Sequence, residues 1–121
     1  MERAVVSGAT GMIGSALVDA LTSAGVQVIA LANPNSARSV QVEHNPELVT
    51  VLPLALEGYA GFAQCADLLG LPNCEVFYHL AWHGTLGPAR ADEALQQENV
   101  AHALDAVRLA RAFGCSKFVG A

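Results

Sequence analysis

Charge is scarce in this 121-residue sequence: charged side chains make up 14%, where about 25% is usual. Lysine occurs once, at Lys117, and the arginines Arg3, Arg38, Arg90, Arg108 and Arg111 are scattered. With a net charge of −5 and no basic stripe, recognition of nucleic acid through phosphate neutralisation is not expected. No run of about 18 apolar residues occurs, so no membrane helix is expected. The first residues, Met1-Glu2-Arg3-Ala4-Val5, enter a strand-like segment without the basic leader and apolar stretch of a secretory signal. Cysteine is limited to Cys65, Cys74 and Cys115, with no CxxC spacing. Buried free thiols and a reducing, cytoplasmic location are the expectation. Neither a Gly-x-x-x-x-Gly-Lys-Ser/Thr phosphate loop nor a GxSxG nucleophile motif is present.

Apolar residues supply 53% of the chain, which excludes intrinsic disorder as the main description. Ala, Leu and Val dominate, a composition suited to helices packed closely on a buried sheet. Residues 4–7 form a short apolar run that reads as a buried parallel strand. Strand-like runs follow at 26–31, 48–52, 76–80 and 117–121. Helical spacing places Ile13, Leu17, Ala20, Leu21 and Ala24 on one face, and Gly25 stands where a helix-closing glycine belongs. A second helix is predicted over 59–69. A third runs from 91 to 113, with Leu95, Asn99, His102, Ala106 and Leu109 near one face and Gly114 closing it. Strands alternating with helices predict a parallel sheet covered on both faces, built with right-handed crossovers.

The first strand leads into Gly8-Ala9-Thr10-Gly11-Met12-Ile13-Gly14. Each glycine of such a strand–loop–helix unit has a task. Gly8 turns the chain sharply, Gly11 leaves the backbone open to pyrophosphate oxygens, and Gly14 lets the helix approach the sheet. The N–H groups around Met12 and Ile13, together with the helix dipole, favour a diphosphate, and Thr10 is placed to cap the helix.

The segment Val6-Ser7-Gly8-Ala9-Thr10-Gly11-Met12-Ile13-Gly14-Ser15 resembles the cofactor loop of the NAD-dependent epimerase/dehydratase family, the extended short-chain dehydrogenase/reductases. Ser7 replaces the threonine of the family's TGxxGxxG. His79-Leu80-Ala81-Trp82 is similar to the family's HLAA strand end. Asn99-Val100 is similar to the start of its NVxGT segment, and Gly114-Cys115-Ser116-Lys117-Phe118-Val119 to its helix exit and fifth strand. The resemblance spans the chain. It implies an α/β Rossmann-type parallel sheet of strand order 3-2-1-4-5 with helices on both faces, cut as the fifth strand ends. Residues 1–121 would form an incomplete NAD(P)-binding domain.

The resemblance further implies that Gly8, Gly11, Met12, Ile13 and Gly14 hold the pyrophosphate. Leu80, Ala81 and Trp82 would line the path to the nicotinamide ribose. Trp82, His83 and Thr85 would face substrate in a longer homologue, and Asn99 would support the proton path of the active site. At the end of the second strand, family members that use NAD carry an acid that bonds the ribose. Here that position is Ala32, followed by Asn33, and Arg38 stands six residues on. Lacking a carboxylate to repel a 2′-phosphate, and with an arginine to pair with one, the chain tilts from NAD toward NADP. Leu54-Ala55-Leu56 replaces the family's adenine-binding Asp, so adenine would rest on apolar packing and backbone bonds.

The family's chemistry needs a Ser or Thr after the fifth strand and a Tyr-x-x-x-Lys. Tyr59 is followed four residues on by Ala63 and Tyr78 by Trp82, so neither supplies the motif. The expectation is the cofactor-binding half of a nucleotide-sugar epimerase, dehydratase or reductase, not catalytic alone. The alternative is a silent dinucleotide sensor that completes its sheet with a partner. An exposed fifth strand would invite self-association. Among His44, His79, His83 and His102, the four-residue step from His79 to His83 straddles a strand end and shares no helix face. No metal site is expected.

Overall fold

The computed structural model describes residues 1–35, 47–65, 68, 70–84 and 87–121. The strands are β1 (Arg3–Ser7), β2 (Gln27–Ala32), β3 (Val49–Pro53), β4 (Val76–His79) and β5 (Lys117–Gly120). The helices are α1 (Met12–Ser23), α2 (Tyr59–Gln64) and α3 (Glu93–Ala112), with single 3-10 turns at Leu56–Gly58 and Gly87–Ala91. All pairings are parallel, in the order β3-β2-β1-β4-β5. This is the expected Rossmann-type order. It leaves β3 and β5 as the edges among the described strands.

Alternation along the strands divides the core in two, because successive side chains point to opposite faces. Val5, Ile29, Leu31 and Phe77 face one way and are buried with Tyr59, Leu109 and Phe113 beneath α2 and α3. Ala4, Val6, Val28 and Ala30 face the other way and are buried with Val18 and Leu21 of α1. The aromatic bulk lies on the first face, where Phe77 stacks on Phe118 and Phe62 on Phe113.

Several sequence expectations are corrected. The buried side of α1 carries Gly14, Val18, Leu21 and Thr22, one residue out of phase with the predicted face, and Ile13 is 70% exposed. Close packing at Gly14 sets the rotation of that helix, overriding the apolar periodicity. Thr10 does not cap α1: Gly11 is the N-cap residue and no side chain bonds there. The third helix starts two residues later than predicted, because Asp92 caps it, its Oδ1 accepting from Leu95 N at 3.1 Å. Its predicted inner face holds, with Asn99, Ala106 and Leu109 buried. Of the helix predicted over 59–69, Tyr59–Gln64 is formed, and residues 66, 67 and 69 lie outside the described residues. Cys74 is buried and Cys115 half-buried, but Cys65 is exposed where α2 ends. Among the described residues no helix is long and apolar enough to cross a membrane.

Candidate functional site

Strand order reverses between β1 and β4, and their C-terminal ends open a crevice there. Crevices of this kind are the usual ligand site of open parallel sheets. A cleft of about 350 Å³ lies at this point. Gly8, Thr10 and Gly11 form its loop wall, Ala32 and Asn33 the end of β2, and Leu54, Ala55 and Leu56 the segment after β3. Leu80, Ala81, Trp82 and His83 close the far side, with Tyr59 also lining it.

The loop wall depends on absent side chains. Gly8 has φ +70°, and a Cβ there would stand 2.7 Å from Ala81 N and 2.8 Å from Leu80 C. A Cβ on Gly14 would fall 2.0 Å from Gly8 O, so α1 rests directly on the turn. Gly11 differs: its backbone is extended (φ −75°, ψ 174°). A Cβ there would meet one protein atom, Gly8 O at 3.4 Å. The room beside Gly11 therefore belongs to the cleft. Gly11 N donates to Gly8 O at 3.1 Å, closing the turn. At the N-terminus of α1 the first N–H groups have no partner within the helix. The side chains of Met12 and Ile13 are exposed. Neither they nor Gly14 are among the residues that line the cleft.

The far wall depends on side-chain bonds. Ser7 Oγ is its hub, accepting from Leu80 N at 3.1 Å and Ala81 N at 3.2 Å. Ser7 also shares a hydrogen with His79 Nδ1 at 2.8 Å. His79 is buried between Tyr59, edge-on at 6.4 Å, and Phe118, stacked at 6.0 Å. Its Nε2 has no hydrogen-bond partner among the described residues. Burial, reinforced by the charge of His102, holds the imidazole below its ordinary pKa. Burial also pushes the Tyr59 phenol up to about 12, against an opposing hydrogen bond with Ser7.

Asn99, buried in α3, clamps the loop after β4. Its Oδ1 accepts from His83 N at 2.9 Å, and its Nδ2 donates to His83 O at 2.8 Å and to Gln96 Oε1 at 3.1 Å. Trp82 Nε1 donates to the same Gln96 oxygen at 2.8 Å. Asn99 thus bonds another segment's backbone and lies behind the cleft, which the sequence did not reveal. Asn33 Oδ1 accepts from Asn35 N at 2.9 Å, shaping the turn beyond β2. Arg38 and Thr85 lie outside the described residues.

Sequence reasoning missed Ser7, taken only as a replacement for threonine, and Tyr59, set aside for lacking a Lys partner. A small hydroxyl at the last position of β1 was the available signal for Ser7. Nothing local marks Tyr59. The fold also gathers Glu57, His83 and His102, a group absent from the sequence reading. His83 Nε2 lies 3.1 Å from Glu57 Oε1. The Glu57 carboxyl is held below its usual value, first by a backbone hydrogen bond and then by His83, with partial burial opposing.

Residues 4–121 match the family described as "NAD dependent epimerase/dehydratase family". Among solved structures, the UDP-glucose 4-epimerase of Thermotoga maritima, solved with UDP-glucose, is 23% identical with a TM-score of 0.72. The alignment covers 98% of this chain and 37% of that one. The Thermus thermophilus UDP-glucose 4-epimerase in complex with NAD is 24% identical, with a TM-score of 0.71, covering 96% of this chain and 36% of that one. A short-chain dehydrogenase from Streptomyces avermitilis is 21% identical, with a TM-score of 0.69, covering 98% and 48%. At these identities the likeness is one of fold. The chain spans a little over a third of the length of the two epimerases. No curated protein matches it.

Proposed function

Because the chain belongs to the NAD dependent epimerase/dehydratase family, we propose that its cleft binds NAD or NADP. In a longer protein it would serve as the cofactor half of a nucleotide-sugar epimerase-like oxidoreductase. The observation that carries this reading is the space at Gly11: the loop is packed solid at Gly8 and Gly14 and open between them, toward the cleft. Backbone N–H groups of Met12 and Ile13 would hold the pyrophosphate at the start of α1, with Gly11, whose own N–H is bonded to Gly8 O, leaving room for it. Leu54, Ala55 and Leu56 would pack on adenine, and Leu80, Ala81 and Trp82 would guide the ribose toward the nicotinamide. A nicotinamide bound there supplies hydride exchange.

Asn99 acts as a positioning residue in this reading, fixing His83 and the loop that faces the cofactor. Ala32, which brings no carboxylate to the ribose, favours NADP over NAD, and Arg38 would pair with the 2′-phosphate. Proton transfer is not assigned to Tyr59. Its phenol, raised to about 12, holds its proton near neutral pH, opposite to what a general base requires.

Isothermal titration of the chain with NADH and separately with NADPH tests the proposal. Saturable binding that Gly11→Val weakens at least about tenfold supports a working cradle, a loss of about 1.4 kcal/mol. Tighter binding of NADPH supports the Ala32 argument. No binding of either to folded protein refutes the reading.

A further inference from the structure

The rim of the sheet carries a second cluster, which shares His83 with the cleft while its other two members, Glu57 and His102, do not line it. Glu57 comes from the turn after β3, His83 from the loop after β4 and His102 from the middle of α3. Their ligand atoms all lie within 4.8 Å of one another. The rings of His83 and His102 meet edge to face at 6.1 Å. The side chains of His83 and Glu57 are 36% and 63% exposed, so an ion can reach them.

We propose that Glu57, His83 and His102 form a site for one divalent transition-metal ion of the zinc class, with its remaining position taken by water. Two imidazoles and a carboxylate suit zinc, nickel or cobalt, whereas calcium and magnesium prefer oxygen alone. An ion about 2.0–2.1 Å from each tetrahedral donor holds the donors about 3.4 Å apart. The His83–Glu57 separation, 3.1 Å, is already close to that. Rotation of His102 closes the rest. The Nδ1 of that ring is buried with no hydrogen-bond partner among the described residues, so no bond there resists the rotation.

The support for the site is built in as well. Asn99 holds the His83 backbone at both N and O, and His102 follows Asn99 by three residues on the same helix. One helix therefore fixes one ligand's backbone and carries another ligand, as outer supports of metal sites do. A simple ion pair between His83 and Glu57 accounts for two of the three residues and leaves His102 unexplained.

The test is titration of the chelator-treated full chain with zinc chloride, without dinucleotide, so that its outcome is separate from that of the cofactor experiment. A Cys65→Ser background removes the exposed thiol. Nickel chloride titration followed by the fluorescence of Trp82, the one tryptophan and the neighbour of His83, gives a second readout. One ion per chain is expected, with quenching of Trp82 and a weakening of at least about tenfold in both His102→Ala and Glu57→Gln. Glu57 is exposed, so Glu57→Gln keeps the test valid if His102→Ala does not fold. Absence of saturable binding, or binding that neither variant weakens, overturns the site.

Discussion

The two walls of the cleft are built on opposite principles. The loop wall is made by side chains that are missing: at Gly8 and Gly14 backbone touches backbone, and at Gly11 the space is left for something else. The far wall is made by side chains that are present. Ser7 reaches His79, Leu80 and Ala81 across 72 to 74 residues of sequence, and Asn99 reaches His83 across 16. The loop wall is one short stretch of backbone that meets the other wall where Gly8 packs on Leu80 and Ala81. A wall built from long-range bonds inherits its geometry from the whole sheet.

The sharpest way to break this contrast is within the loop itself. Gly14→Ala drives a methyl to 2.0 Å from Gly8 O, and backbone on both sides cannot yield without moving α1. The expected cost is about 3 kcal/mol or more, the top of the usual range for overpacking, read as a fall in urea midpoint. Gly11→Ala places its methyl 3.4 Å from that same oxygen on an ordinary extended backbone. Stability should change by less than about 1 kcal/mol, while NAD(P)H affinity falls. If both variants lose stability equally, the open space at Gly11 is not the cofactor's.

On the far wall, Asn99→Ala strips both backbone partners from His83 and opens a buried gap. Leaving those groups unsatisfied should cost about 2–3 kcal/mol, measured by chemical denaturation. Hydrogen exchange should speed up at His83 and remain slow at Gly11, because the loop wall does not depend on α3. Exchange that speeds up on both walls would mean that they are one cooperative unit, and the comparison would fail.

This division also explains what could be read from the sequence. The alternation of strands and helices and the glycine loop were legible because each rests on local signals: short apolar runs, helix-closing glycines, and a motif within seven residues; the strand order came with the family resemblance. The face of α1 was misjudged because a glycine contact, carrying no hydrophobic signal, overrode the periodicity of Ile13 and Ala20. The Asn99–His83 clamp and the Glu57, His83, His102 group were illegible for another reason. Each joins elements whose meeting depends on sheet order and register together, and no spacing along the chain encodes that meeting.

The smallest expected effect probes the heart of the far wall. His79 is buried, and burial together with the charge of His102 holds its pKa below the ordinary value. The unfolded chain binds that proton near pH 6.5, whereas the folded chain binds it only at lower pH. Below about pH 6.5 the unfolded state therefore carries more protons, and stability falls as pH drops from there through the folded pKa. Thermal melts between pH 8 and pH 5 should show this decline. His79→Asn removes the titrating ring and keeps an amide beside Ser7, so its melting temperature should be lower at pH 8 yet flatter toward pH 5. A variant with an acid limb as steep as the parent's would place the titration elsewhere. The buried imidazole would then act on the wall only through its contacts with Ser7, Tyr59 and Phe118, leaving the far wall as insensitive to pH as the glycine loop.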